Sequence, residues 1–116
     1  MTLQILHVDD GVEWREIIKE ILADQDVNLT TYASLKDAQT DATTYDWYLI
    51  DGTIGASGDG YRWAQQLANE GKNVVVISAD EDINFLKHLP KPFPTTKLLK
   101  LLGLTLSIIA LLVKFL

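Results

Sequence analysis

Leu3-Gln4-Ile5-Leu6-His7-Val8-Asp9-Asp10 begins as an apolar run and ends on two acids. The same arrangement recurs along the chain. Trp47-Tyr48-Leu49-Ile50 leads into Asp51-Gly52, Val74-Val75-Val76-Ile77 leads into Ser78, and Lys91 stands within Leu89-Pro90-Lys91-Pro92-Phe93. Short, near-continuous apolar runs of this kind read as strands covered on both faces, the habit of a parallel sheet. In an open parallel sheet, ligands bind in the crevice outside the carboxyl ends of the strands. The pattern therefore predicts that Asp9, Asp10, Asp51, Ser78 and Lys91 meet at one end of one sheet. Three acids at short range repel one another as bare anions. They call for a cation, and a hard divalent metal with oxygen ligands suits them.

The segments between the runs agree with this. Residues 12–23 place Val12, Ile17, Ile18, Ile21 and Leu22 among Glu13, Arg15, Glu16, Lys19 and Glu20, which is helical spacing. Val27 to Tyr32 is rich in β-branched and aromatic residues and reads as a strand. Ser34 is a candidate N-cap for a short helix reaching about Asp41. Gly55, Gly58 and Gly60 mark a loop, a helix is expected over Tyr61 to Asn69, and Gly71 is its stop. Strand and helix alternate, so the fold class is α/β with a doubly wound parallel sheet.

Two segments break the alternation. Only twelve residues separate Ser78 from Lys91. If Phe85 to Leu89 is a fifth strand, the link before it is shorter than the roughly 10–12 residues that a crossover with a helix requires. The helix between the fourth and fifth strands is therefore expected to be missing or reduced to one turn. From Pro94 to Leu116 the chain reads as one extended helix with two apolar stripes, started by Pro94 with Thr95 or Thr96 capping. Leu98, Leu102, Thr105, Ile109, Leu112 and Leu116 form one stripe, and Leu101, Leu104, Ile108, Leu111 and Phe115 the other. One stripe suffices to dock a helix on a sheet. The second is expected to pack on a partner chain, giving a homodimer through the C-terminal helix. The competing readings are a tail folded over the bare sheet face and shallow membrane contact. Residues 101–113 form an uncharged run of 13, short of the ~20 needed to cross a bilayer.

A chain of 116 residues with a net charge of −6 and no cysteine is read as one domain, 1–116, with its core in 1–93 and the helix in 94–116. The charge speaks against nucleic acid as a partner. The absence of cysteine and of a cationic, apolar leader makes the cytoplasm the expected location.

Taken in order, Ile5-Leu6-His7-Val8-Asp9-Asp10, Tyr48-Leu49-Ile50-Asp51, Asp59-Gly60, Ile77-Ser78-Ala79 and Lys91-Pro92-Phe93 resemble the motifs of response-regulator receiver domains, over residues 3 to about 102. The resemblance implies a flavodoxin-like five-stranded sheet of order 2-1-3-4-5. It implies that Asp51 accepts a phosphoryl group from a histidine kinase, a phosphotransfer protein or a small donor. Asp9, Asp10 and Asp51 would hold Mg²⁺, with the backbone carbonyl of Thr53 as a further ligand. Ser78 would bond a phosphoryl oxygen, Lys91 would pair with Asp51 and then with the phosphoryl group, and the Lys91–Pro92 bond would be cis. The chain departs from the family in three places. The loop after Asp51 has no Met-Pro pair and is one residue longer, the aromatic position three before the lysine holds His88, and the fourth helix is reduced. Phe85 or His88 is the candidate to stand in for that aromatic residue.

Asp51-Gly52-Thr53 also suggests the Asp-x-Asp-Gly-Thr phosphatases, but their nucleophile would fall at Leu49, which has no nucleophilic atom. The expectation is thus a phosphoacceptor rather than an enzyme, coupled to self-association or partner docking. The alternative is a receiver-like module that dimerises constitutively and keeps a vestigial site. His7, His88, Trp14, Trp47 and Trp63 are read as packing or surface residues.

Overall fold

A computed structural model describes residues 2–56, 58–79 and 87–104. Among the described residues nine elements follow one another: β1 (Leu3–Val8), α1 (Val12–Leu22), β2 (Val27–Tyr32), α2 (Leu35–Thr40), β3 (Trp47–Asp51), α3 (Asp59–Asn69), β4 (Val74–Ser78), β5 (Lys87–Pro90) and α4 (Thr95–Leu101). The strands form one sheet in the order β2-β1-β3-β4-β5, and every neighbouring pair is parallel. This is the doubly wound order expected above.

Alternation along the strands sorts the core into two layers, because successive side chains point to opposite faces. Ile5, Leu49, Val75, Ile77 and Leu89 meet Ile18, Ile21 and Leu22 of α1 and Leu98 and Leu99 of α4. Leu6, Val8, Tyr48, Ile50 and Val76 meet Ala38 of α2 and Ala64 and Leu67 of α3. β4 is buried along its whole length, as its unbroken β-branched run requires. In α1 the inward stripe is Ile18, Ile21 and Leu22, whereas Val12 and Ile17 face solvent.

Local signals account for most boundaries. The Ser34 hydroxyl accepts the Asp37 amide and caps α2. Gly71 takes a positive φ just past α3, where a β-carbon would be strained. α3 starts at Asp59, two residues before the expected Tyr61. The Asp59 carboxylate accepts the Ala56 amide there, and Gly58 at φ 81 admits the turn into the helix. β5 spans Lys87–Pro90 rather than the expected Phe85 to Leu89. Phe85, and the reduced helix expected before it, fall in 80–86, outside the described residues.

The expected continuous helix from Pro94 to Leu116 is not what forms. α4 ends at Leu101, and Gly103 follows with φ 72. The Gly103 amide bonds the Lys100 carbonyl, and the Leu104 amide bonds the Leu99 carbonyl at 2.8 Å. These two bonds close a Schellman terminus on a glycine. Leu101 and Leu104, assigned to an outward second stripe, pack on the same core as Leu98 and Leu102. Pro94 occupies the N-cap position, and Thr95 and Thr96 lie in the first turn rather than capping it. The rest of both stripes lies in 105–116, outside the described residues. No helix among the described residues is long and apolar enough to cross a membrane.

Candidate functional site

The carboxyl ends of β1, β3, β4 and β5 sit side by side because of the register. Val8 pairs with Ile50, Asp51 with Ile77 and Ser78 with Pro90. Asp9 therefore leaves β1 level with Asp51, while Ser78 ends the next strand and Lys91 leaves β5 beside it. The Lys91 amide donates to the Ser78 carbonyl at 2.9 Å, which anchors the lysine turn, and the Lys91–Pro92 peptide bond is cis. Pleating turns the side chains of Asp9 and Asp51 into the crevice, and both are buried.

Lys91 joins the two buried acids. Its Nζ lies 2.8 Å from Asp9 Oδ2 and 3.8 Å from Asp51 Oδ2. It also stands 4.8 Å from the centre of the Trp14 ring, which in turn stacks on Phe93. A cation on an indole face is held by the ring quadrupole, so Trp14 of α1, backed by Phe93, steadies the lysine. The opposite oxygen of Asp9 accepts the Gly11 amide at 2.8 Å, and Arg15 donates to the Asp9 carbonyl at 2.8 Å. Asp51 Oδ1 accepts both the amide and the hydroxyl of Thr53. Burial raises the Asp51 carboxyl above its ordinary range and Asp9 adds to the rise; the Thr53 bonds and Lys91 oppose it.

Asp9, Asp10 and Asp51 each present a carboxylate oxygen within 4.8 Å of the others, Asp10 from an exposed position. Opposite ligands of an octahedral Mg²⁺ lie about 4.2 Å apart, since each bond is about 2.1 Å. The donor set is all oxygen, and one member opens to water, so these residues fit a hard divalent ion that keeps part of its hydration.

Ser78 is buried, and among the described residues its hydroxyl has two hydrogen-bonding neighbours. Tyr61 Oη lies 3.0 Å away and His88 Nε2 3.3 Å away. His88 thus occupies the position expected for the aromatic residue. His7 is wholly buried on the α1 side of the sheet, and neither ring nitrogen has a hydrogen-bond partner among the described residues. Burial lowers its pKa to about 4, so the ring is neutral near pH 7.

All five residues picked from the strand ends arrive at the crevice. Trp14, read as a packing residue, also forms a wall behind Lys91. Tyr61, Arg15 and the Thr53 hydroxyl were not foreseen. The pair Gly52 and Gly60 was the available clue to Tyr61. A β-carbon on Gly52 would fall 2.3 Å from the Tyr61 ring, and one on Gly60 would fall 2.3 Å from the Asp51 carbonyl. Gly52 leaves room for the aromatic ring, and Gly60 lets the start of α3 approach the Asp51 carbonyl.

Comparison with solved structures finds the same fold in receiver domains. The BeF3-activated receiver domain of DrrB, a response regulator of Thermotoga maritima, superposes with a TM-score of 0.77 at 18% identity over 89% of this chain and 96% of that one. Chemotaxis protein CheY4 of Vibrio cholerae gives 0.75 at 18%, covering 89% and 98%. A CheY-like receiver domain from Methanospirillum hungatei gives 0.77 at 15%, covering 89% and 92%. No protein-family model matches the sequence, and no curated protein does. The chain has the CheY-like fold that its motifs suggested.

Proposed function

We propose that the chain is a phosphoacceptor receiver of a two-component or phosphorelay system, with Asp51 as the acceptor. The observation that carries this is Lys91, which reaches Asp9 and Asp51 together across a crevice ringed by three carboxylates. Phosphoryl transfer needs little covalent help from a protein; it needs positioning and neutralised charge. In the ionised form, one Asp51 oxygen bonds to phosphorus as the donor's bond to phosphorus breaks and its electron pair leaves with the donor. The donor is a phosphohistidine of a kinase or phosphotransfer protein, or a small acyl phosphate. Asp9, Asp10, Asp51 and the Thr53 carbonyl would hold Mg²⁺, which when bound neutralises charge on the phosphoryl oxygens. Lys91 moves its charge from the carboxylate to the new phosphoryl group, as a compact ammonium on a flexible stem can. Ser78 donates its hydroxyl proton to a phosphoryl oxygen.

The chain is thus a signalling switch rather than a catalyst with turnover, working in the cytoplasm beside its kinase. Phosphorylation is coupled to self-association or to docking of a partner. Incubation with Mg²⁺ and acetyl phosphate tests the central claim. The parent protein is expected to gain the mass of one phosphoryl group, and Asp51→Asn to gain none. An Asp51→Asn protein that labels as fully as its parent would refute the assignment.

A further inference from the structure

We infer that a groove between α1 and α4 is the docking site of the chain's own residues 105–116, which lie outside the described residues. This goes beyond the phosphoacceptor reading and does not rest on it. The groove is lined by Ile17, Glu20 and Ile21 of α1, by Phe93 just before α4, and by Thr95, the first residue of α4; its volume is about 260 Å³. A cavity of roughly 150 Å³ takes a benzene-sized group, so this groove has room for one or two apolar side chains. Ile17 is 39% exposed. A lone exposed isoleucine would mean little, but this one shares the groove with Ile21 and Phe93, and Glu20 adds one acid to the lining.

Position, reach and composition name the occupant. The Leu104 amide bonds back to the Leu99 carbonyl, and Leu104 packs on the same apolar layer as Ile21 and Phe93. Residue 105 therefore sets out from the layer that the groove opens into. α4 has 7 residues, so the way back from its end to Thr95 is about 10 Å at 1.5 Å per residue. Residues 105–116 reach about 18 Å at that same rise, and further when extended. Nine of these twelve residues are apolar, and Lys114 carries the single charge among them. An apolar segment with one cation matches an apolar groove with one acid. The covalent tether also holds the segment near the groove at an effective concentration of the order of millimolar. In dilute solution that exceeds the concentration of any second copy, so the chain's own segment fills the groove first.

A nitroxide on the full chain tests this. The sequence has no cysteine, so Leu116→Cys gives one attachment point. In the spin-labelled protein the amide signals of Ile17, Ile21 and Thr95 are expected to be lost to paramagnetic broadening. Those of Ala64 and Leu67, in α3 on the other face of the sheet, are expected to stay sharp. Ile17→Asp, a change at an exposed position, puts a charge in the groove and should bring the lost signals back. Groove signals that stay intact in the spin-labelled parent, or losses that survive Ile17→Asp, overturn the inference. A mixture of ¹⁵N-labelled parent with spin-labelled chain of natural isotope content separates the sources. No broadening is expected in the ¹⁵N-labelled copy; broadening at its groove assigns the site to a second copy and overturns docking within one chain. A nitroxide that becomes shielded from water only when anionic phospholipid vesicles are added assigns the segment to a membrane and overturns the inference as well. Should Leu116→Cys not fold, the parent decides. Nuclear Overhauser contacts from the Ile17 methyls to side chains of residues 105–116 are expected, and their absence overturns the docking.

Discussion

His7 shows what a single residue carries here beyond the crevice. Its ring is fully buried, and both nitrogens lack hydrogen-bond partners among the described residues. An enclosed polar group without a hydrogen bond costs about 1–3 kcal/mol. Replacing it with an apolar side chain of similar reach removes that cost. His7→Leu is therefore expected to stabilise the fold by about 1 kcal/mol at neutral pH, read as a higher urea midpoint with an unchanged slope. A lower midpoint would mean that the ring nitrogens serve a purpose the packing does not reveal. The strand-end residues were legible in the sequence because each terminates a local apolar run, and a run needs no knowledge of distant contacts. Tyr61 was not, because it lies on a helix, its partner Ser78 lies on a strand 17 residues away, and the match is made by packing over Gly52.

Among the elements, α2 and its exit carry a compact electrostatic clasp. The Asp41 carboxylate accepts hydrogen bonds from the hydroxyls of Tyr32, on β2, and Tyr45, just before β3, and from the Thr43 amide. These bonds hold the Asp41 carboxyl well below the usual carboxylate range, Tyr32 contributing most. The same bond pushes the Tyr32 phenol up to about 12. A carboxyl depressed on folding contributes stability that is present above its unfolded value and lost as pH falls through the folded one. A phenol raised on folding contributes stability that is present below its unfolded value of 10.0 and lost as pH rises toward about 12. Asp41→Asn is expected to lower the urea midpoint at about pH 6 and to flatten its fall between about pH 6 and pH 2. Parallel acid profiles for parent and variant would count against the clasp. The other lesson at this scale concerns α4. Gly103 ends the helix, but the surrounding leucines kept an apolar period that pointed to a continuous one. Periodicity records which residues avoid water, and both a helix and the cap that ends it can satisfy it.

For the whole molecule, ligand binding and folding are one equilibrium. Burial and the neighbouring Asp9 disfavour the Asp51 carboxylate beyond what Lys91 offsets, and a cation bound among the acids would relieve this. Any ligand that binds only the folded chain raises stability by mass action, about 2.7 kcal/mol at a hundredfold excess over its Kd. Mg²⁺ is thus expected to raise the thermal midpoint, and Mg²⁺ with beryllofluoride to raise it further, by several degrees in all. Asp10 is exposed, so Asp10→Asn should fold as its parent does and lose most of the Mg²⁺ shift. A calorimetric scan with and without a chelator checks both; a midpoint indifferent to Mg²⁺ would sink the metal assignment. The short strand β5 has a consequence of a different kind. It forms one margin of the sheet, and the Lys91 amide points inward to the Ser78 carbonyl. Because the backbone alternates, the amide positions of His88 and Pro90 point outward. Proline has no N–H, so His88 is left as the single outward donor within β5. A foreign strand therefore finds one donor fewer along this margin, which makes β5 a poorer template for an added strand.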